Sequence, residues 1–128
     1  NIMANPNIVA VTSILGNTTF ITPANTTANV LLSNAASSGD VLKINQIVAA
    51  NVNGTSAVDT TVAVNNAAAG AGTSFPVVST VSVPADASII VTDKTTAIYL
   101  MENQSIVVTS GTASGISYTI SYEAISSS

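Results

Sequence analysis

From Gly115 to Ile125 the chain alternates, with Ile116, Tyr118, Ile120 and Tyr122 on one side and Ser117, Thr119 and Ser121 on the other. A period of two turns one face of a strand to a core and the other to solvent. Similar short runs recur along the chain, rich in Val, Ile and Thr, whose branched side chains suit a pleated surface better than a helix. Ile8 to Leu15 opens a first strand, closed by Gly16-Asn17, and Thr18 to Ile21 follows as a second. Asn29 to Ser33, Val41 to Val52, Thr60 to Asn65, Ser74 to Val83, Ser88 to Thr92, Ala97 to Met101, Ser105 to Ser110 and Gly115 to Ile125 complete the set.

The breaks between runs have their own chemistry. Pro23 lacks the amide a ladder needs, and Pro76 confines its strand to an edge. Asn53-Gly54 is the strongest turn signal, because both residues tolerate positive φ. Pro84-Ala85-Asp86-Ala87 reads as a turn, and Ala67 to Gly72 as a loop of small residues. Within Val41 to Val52, strict alternation places Leu42, Ile44, Val48 and Ala50 on one face. Lys43, Asn45 and Ala49 share the other with Ile47. The expected fold is all-β, a single antiparallel β-sandwich of about nine to ten short strands. Jelly-roll and immunoglobulin-like orders both stay open, since strand count does not reveal strand order. One domain over residues 8–128, preceded by an N-terminal arm over 1–7, suits a chain of 128 residues.

Charge is scarce: six acids, two lysines, no arginine, histidine or cysteine, in a chain that is 47% hydrophobic. That balance argues for folding and against disorder. Nucleic-acid binding needs clustered cations, which are missing. No apolar run reaches the ~18–20 residues of a membrane span. A disulfide framework is excluded. The start, Asn1-Ile2-Met3 followed by Asn5-Pro6-Asn7, lacks the charged segment and apolar core of a secretory signal.

Catalytic chemistry is equally thin. Without His, a nucleophile has only Lys43 or Lys94 as a base. Asp40, Asp59, Asp86, Asp93, Glu102 and Glu123 are scattered, several in turns where Asp is locally favoured. They lack the spacing of a calcium loop, and Gly70-Ala71-Gly72-Thr73 lacks the Lys of a phosphate cradle. No cofactor is called for. Four Asn-x-Ser/Thr matches (Asn17, Asn25, Asn53, Asn103) arise readily in a chain this rich in Ser and Thr. Lys43 lies in the longest apolar run. It either points to solvent or forms a Lys–Asn isopeptide link assisted by Glu102 or Glu123. The paired threonines keep no fixed period, so neither a solenoid nor a flat threonine array is indicated. The composition thus fits a structural protein.

Several longer motifs are more specific. They are Met3-Ala4-Asn5-Pro6-Asn7-Ile8-Val9, Lys43-Ile44-Asn45, Ala50-Asn51-Val52-Asn53-Gly54-Thr55, Val83-Pro84-Ala85-Asp86-Ala87, Ala97-Ile98-Tyr99-Leu100-Met101-Glu102 and Ser121-Tyr122-Glu123-Ala124-Ile125. Together they resemble small virion structural proteins of marine tailed phages, including phages of cyanobacteria, over most of the chain. Met3 then reads as the native start, with Asn1 and Ile2 extra. Two departures stand out: Glu102-Asn103-Gln104 where the relatives tend to show Glu-Gly-Asp, and the distinct Ala67–Gly72 loop.

The resemblance implies a non-enzymatic β-sandwich carried on a virion in many copies. A capsid decoration or outer capsid protein leads, and a tail or tail-fibre component is the alternative. Its partners would be itself, as a homo-oligomer such as a trimer, and the major capsid or tail protein, with neither nucleic acid nor membrane. A binding domain for a host glycan and a filament subunit joined by strand exchange are the competing readings. The arm residues Asn5, Ile8 and Val9 and the side chains Tyr99, Tyr118 and Tyr122 are the candidate contacts. For the tyrosines the alternative is core packing. A surface of Ser, Thr and Asn should let copies pack with little dependence on salt.

Overall fold

The computed structural model describes residues 13–92 and 98–126. These residues form no helix. They form nine strands: β1 (Ser13–Ile21), β2 (Asn29–Asn34), β3 (Asp40–Asn51), β4 (Val58–Asn65), β5 (Ser74–Val83), β6 (Ser88–Thr92), β7 (Ile98–Leu100), β8 (Gln104–Ser110) and β9 (Ile116–Ser126). One sheet runs β1-β9-β3-β6, with β7 also on β3, and the other runs β2-β8-β4-β5. We call them sheets A and B. All pairings are antiparallel.

Strands β6 and β7 pair with residues 47–50 and 42–44 of the same edge of β3, and so share one position. The pairs β1 with β9, β2 with β8, β3 with β6 and β7, and β4 with β5 are those of one long hairpin folded over itself. Strands β9 and β8 then close the sheets against β3 and β4. This is the jelly-roll order. An immunoglobulin sandwich keeps several consecutive strands in one sheet. Here only the β4–β5 and β6–β7 connections stay within a sheet.

The core lies between the sheets. Ile44, Ile47, Leu100, Ile116, Tyr118 and Ile120 from sheet A meet Val58, Val62, Ile106 and Val108 from sheet B. Each buried aliphatic side chain is worth about 1.5–3 kcal/mol of transfer free energy. Tyr118 is fully buried, so core packing accounts for it and it is no surface contact. Its hydroxyl donates to the Thr109 carbonyl at 2.9 Å. The Thr60 hydroxyl, on the facing sheet, makes a short hydrogen bond to the same oxygen.

Three expectations change. Gly16-Asn17 is not a turn, because β1 pairs with β9 without interruption from Ser13↔Ser126 to Ile21↔Tyr118. A nine-residue ladder outweighs the local preference of two residues. Asn53-Gly54 does turn the chain, with Asn53 Oδ1 accepting from the Thr55 and Ser56 amides, but it closes no hairpin, since β3 and β4 belong to different sheets. It lies on an arch between them, and neither residue has positive φ.

The third change concerns β3, whose alternation is broken. Its pairing with β9 slips between Ile44 and Gln46, leaving Asn45 as an extra residue. Such a bulge shifts the phase by one residue. Leu42, Ile44, Ile47 and Ala49 therefore all join the core. Val48 and Ala50 face outward, contrary to the strict alternation.

A repeated device ends the strands. Asn34, Asn51 and Asn65 are the last residues of β2, β3 and β4, and all three are buried. A buried side-chain amide must satisfy both its ends. Asn34 Nδ2 donates to the carbonyls of Asp40 and Leu100, and its Oδ1 accepts from Ser38. Asn51 Nδ2 donates to Ser56 and Val83 carbonyls, and its Oδ1 accepts from Asn53 N. Asn65 Nδ2 reaches Gly70 O, Gly72 O and Ser74 Oγ, while its Oδ1 accepts from the amides of Ala67 and Gly72.

Asn65 thereby folds the 66–73 loop back over the outer face of sheet B. Ser105 Oγ and Ser33 Oγ donate to the carbonyls of Ala67 and Ala68. Gly70, at φ +77, sits so close to Val30 and Val107 that a Cβ there would lie 2.9 Å and 3.2 Å from their methyls. Val107 and Ala63, paired across β8 and β4 outside the core cluster, are buried.

Candidate functional site

Among the described residues, no such loop covers the outer face of sheet A over most of its extent. Its outward residues line up in rows across the strands. One row runs Gly16–Glu123–Lys43–Tyr99, and the next Thr18–Ser121–Gln46. A third runs Phe20–Thr119–Val48–Ile90, and a fourth Ser117–Ala50–Ser88. Beyond the first row, Val41 and Ile125 are opposed and buried, which bounds the open area.

In the open rows the large side chains stand at the edges: Phe20 is 73% exposed, Ile90 60% and Tyr99 44%. The middle is built of Ser, Thr, Val and Ala. Lys43 and Glu123, directly opposite one another, are the charged residues of these rows. Phe20 on the β1 edge thus stands about 14 Å, three strand spacings of about 4.8 Å, from the opposite edge that carries Ile90 and Tyr99, with a low trough between them whose charges are Lys43 and Glu123.

Beside Gly16 the face sinks into an open depression of about 450 Å3, lined by Gly16, Asn17, Thr18, Asn45, Ser121, Tyr122 and Glu123. Two features of the chain make it. Gly16 has no side chain, and a Cβ there would meet nothing within 4 Å. The β3 bulge sets Asn45 out of the regular ladder, and its buried Oδ1 has no hydrogen-bond partner. The Thr18 and Ser121 hydroxyls bond across the strands at 3.1 Å.

Of the sequence candidates, Tyr99 lies on this face and Tyr122 lines the depression while packing against the core. Tyr118 does neither. Asn5, Ile8 and Val9 lie outside the described residues, as do Asp93 and Lys94. Lys43 sits half-buried on the outward side, across from Glu123. Glu102 is engaged elsewhere, accepting from the Gly39 amide at 2.6 Å. Phe20 and Ile90 were missed. Ile89-Ile90-Val91 carried a signal, since three consecutive apolar residues in a strand must turn one outward. Phe20 carried none, because only its pairing with Thr119 sets its side.

The described residues bring no three acids together around a metal-sized gap. Burial raises the Tyr118 phenol above its ordinary value, partly offset by the Thr60 hydrogen bond, and this perturbation belongs to the core. Two of the Asn-x-Thr matches serve as Asx-turns. Asn25 Oδ1 accepts from Thr27 N and Oγ1, and Asn53 Oδ1 accepts from Thr55 N and Oγ1. No helix of the described residues is long and apolar enough to cross a membrane. Compared with protein-family models, curated proteins and solved structures, the chain matches none.

Proposed function

We propose that this chain is a non-catalytic structural subunit of a virion, a decoration or outer capsid protein that associates with copies of itself and with a capsid protein. The observation that carries the self-association is the open outer face of sheet A, where Phe20, Ile90 and Tyr99 stand exposed around an almost uncharged trough. Exposed apolar groups gathered on one face are characteristic of association surfaces. The virion assignment rests on the resemblance of the end motifs and the central strand to small phage structural proteins, and a jelly roll is compatible with it by analogy of fold alone.

Cryo-electron microscopy of particles that incorporate the chain tests this reading. It expects density of this size at many equivalent positions on the capsid lattice. A few copies confined to the tail would contradict it. A tail or fibre domain binding a glycan is the second reading, favoured by the polar depression beside Asn45 and Glu123.

A further inference from the structure

We infer that the partner of the open face of sheet A is the same face of a second copy, joined about a two-fold axis parallel to the strands between β9 and β3. The inference rests on the self-association proposed above and specifies its geometry. In such an isologous contact residue i meets j and j meets i. The axis exchanges β9 with β3, and β1 with the β6–β7 edge, at equal height along the strands. Each row therefore meets itself reversed.

The reversal is complementary in three independent ways. In the row Phe20–Thr119–Val48–Ile90, it sets Phe20 against Ile90 of the second copy, and Thr119 against Val48. In the row Gly16–Glu123–Lys43–Tyr99, it sets Lys43 against Glu123 of the second copy, so that both charges of the face are opposed by their opposites. The same reversal brings Tyr99, 44% exposed, over Gly16 and its depression of about 450 Å3. A large side chain thus meets the one position in the row without a side chain, and its hydroxyl approaches the wall that contains Asn45. The remaining rows oppose Ser121 to Gln46 and Ser117 to Ala50, small or uncharged throughout. Sheets packed this way keep their strands nearly aligned, about 10 Å apart, as in a sandwich.

The absence of native cysteine makes the test direct. Gly16→Cys and Tyr99→Cys are prepared separately in the full chain, mixed, and treated with a short bis-maleimide, because facing positions on sheets about 10 Å apart lie beyond the reach of a direct disulfide. A cross-linked dimer is expected in the mixture and in neither variant alone. Gly16→Cys enters open space, so the fold should accept it. A second pair keeps the result independent of cysteine geometry: Lys43→Glu and Glu123→Lys. Each alone should weaken self-association on the order of a hundredfold, because like charges then meet at both symmetric contacts. Mixed together they should recover it, since each contact regains opposite charges. An effect confined to the Lys43–Glu123 neighbours within one chain would not be rescued by mixing. Sedimentation separates the two ways of failing. A chain that stays monomeric at every concentration overturns both this interface and the self-association. A chain that associates with neither cross-link nor charge rescue overturns this interface alone.

Discussion

The two outer faces of the sandwich are treated differently by the same chain. On sheet B, the 66–73 loop folds back over β8 and β2, Asn65 holds it, and Val107 and Ala63 are buried beneath it or beside it. On sheet A, four rows from Gly16 to Ser88 lie open, and their apolar residues stand at the edges. Among the described residues, one face is covered by the chain's own loop and the other is not. Apolar outward residues are thus not one class: Val107 and Ala63 of sheet B are buried within the fold, whereas Phe20, Ile90 and Tyr99 of sheet A stand exposed.

The largest expected effect breaks the covered side. Asn65→Ala removes five hydrogen bonds that fix the loop. It should cost about 3 kcal/mol of folding free energy in chemical denaturation, because buried backbone groups lose their partners. Hydrogen exchange at Ala67 and Gly72, whose amides bond to that side chain, should quicken with it. A cost below about 0.5 kcal/mol would mean that the loop is held by other means.

A smaller effect concerns the layer the faces share. Tyr118→Phe should cost about 1–2 kcal/mol, since Thr60 and the Thr109 carbonyl are left without their buried partner. The wild type adds a pH signature. The Tyr118 pKa is raised in the folded state by burial, so the folded protein holds the phenol proton more tightly than the unfolded chain. That contribution is complete below the unfolded value near 10 and is lost as pH rises from there through the raised folded value. Denaturation midpoints should fall above that pH in the wild type, and by less in Tyr118→Phe. Parallel alkaline curves for the two proteins would contradict this.

On the open side, folding should barely respond. Phe20→Ser and Ile90→Ser remove side chains that are 73% and 60% exposed. Each should change monomer stability by no more than about 0.5 kcal/mol while weakening self-association in sedimentation. A large loss of folding stability would move these residues to the class of Val107. Smallest of all is the response to salt. In the proposed interface Lys43 and Glu123 are the charged residues, so raising salt from low strength to that of seawater should weaken association only through these two symmetric contacts, and by far less than the charge reversals do.

Much of this was legible from local pattern. The alternation of β9 gave its core face, Pro76 correctly marked β5 as an edge strand, and Pro84 to Ala87 forms its turn, with Ala87 N bonded to Pro84 O at 3.0 Å. What local pattern missed was set by distant partners. The β3 bulge is visible only in the pairing with β9, where Asn45 is left without an opposite residue. Without it Ile47 would face outward and Val48 inward, as alternation alone reads. The continuity of β1 depends on β9, whose residues lie about a hundred positions away. The candidate site was hidden for the same reason: Phe20, Thr119, Val48 and Ile90 form a row only once four strands are in register. Tyr99 could be singled out as a contact from its chemistry, but its match to Gly16 could not.

Hydroxyl-radical footprinting across protein concentration tests the contrast between the faces most directly. Phe20 and Tyr99 stand on the open face of sheet A, while Phe75 is exposed on the β5 edge of sheet B. With rising concentration, labelling of Phe20 and Tyr99 should fall together while that of Phe75 stays constant. Protection of Phe75 with Phe20 and Tyr99 unchanged would contradict the account.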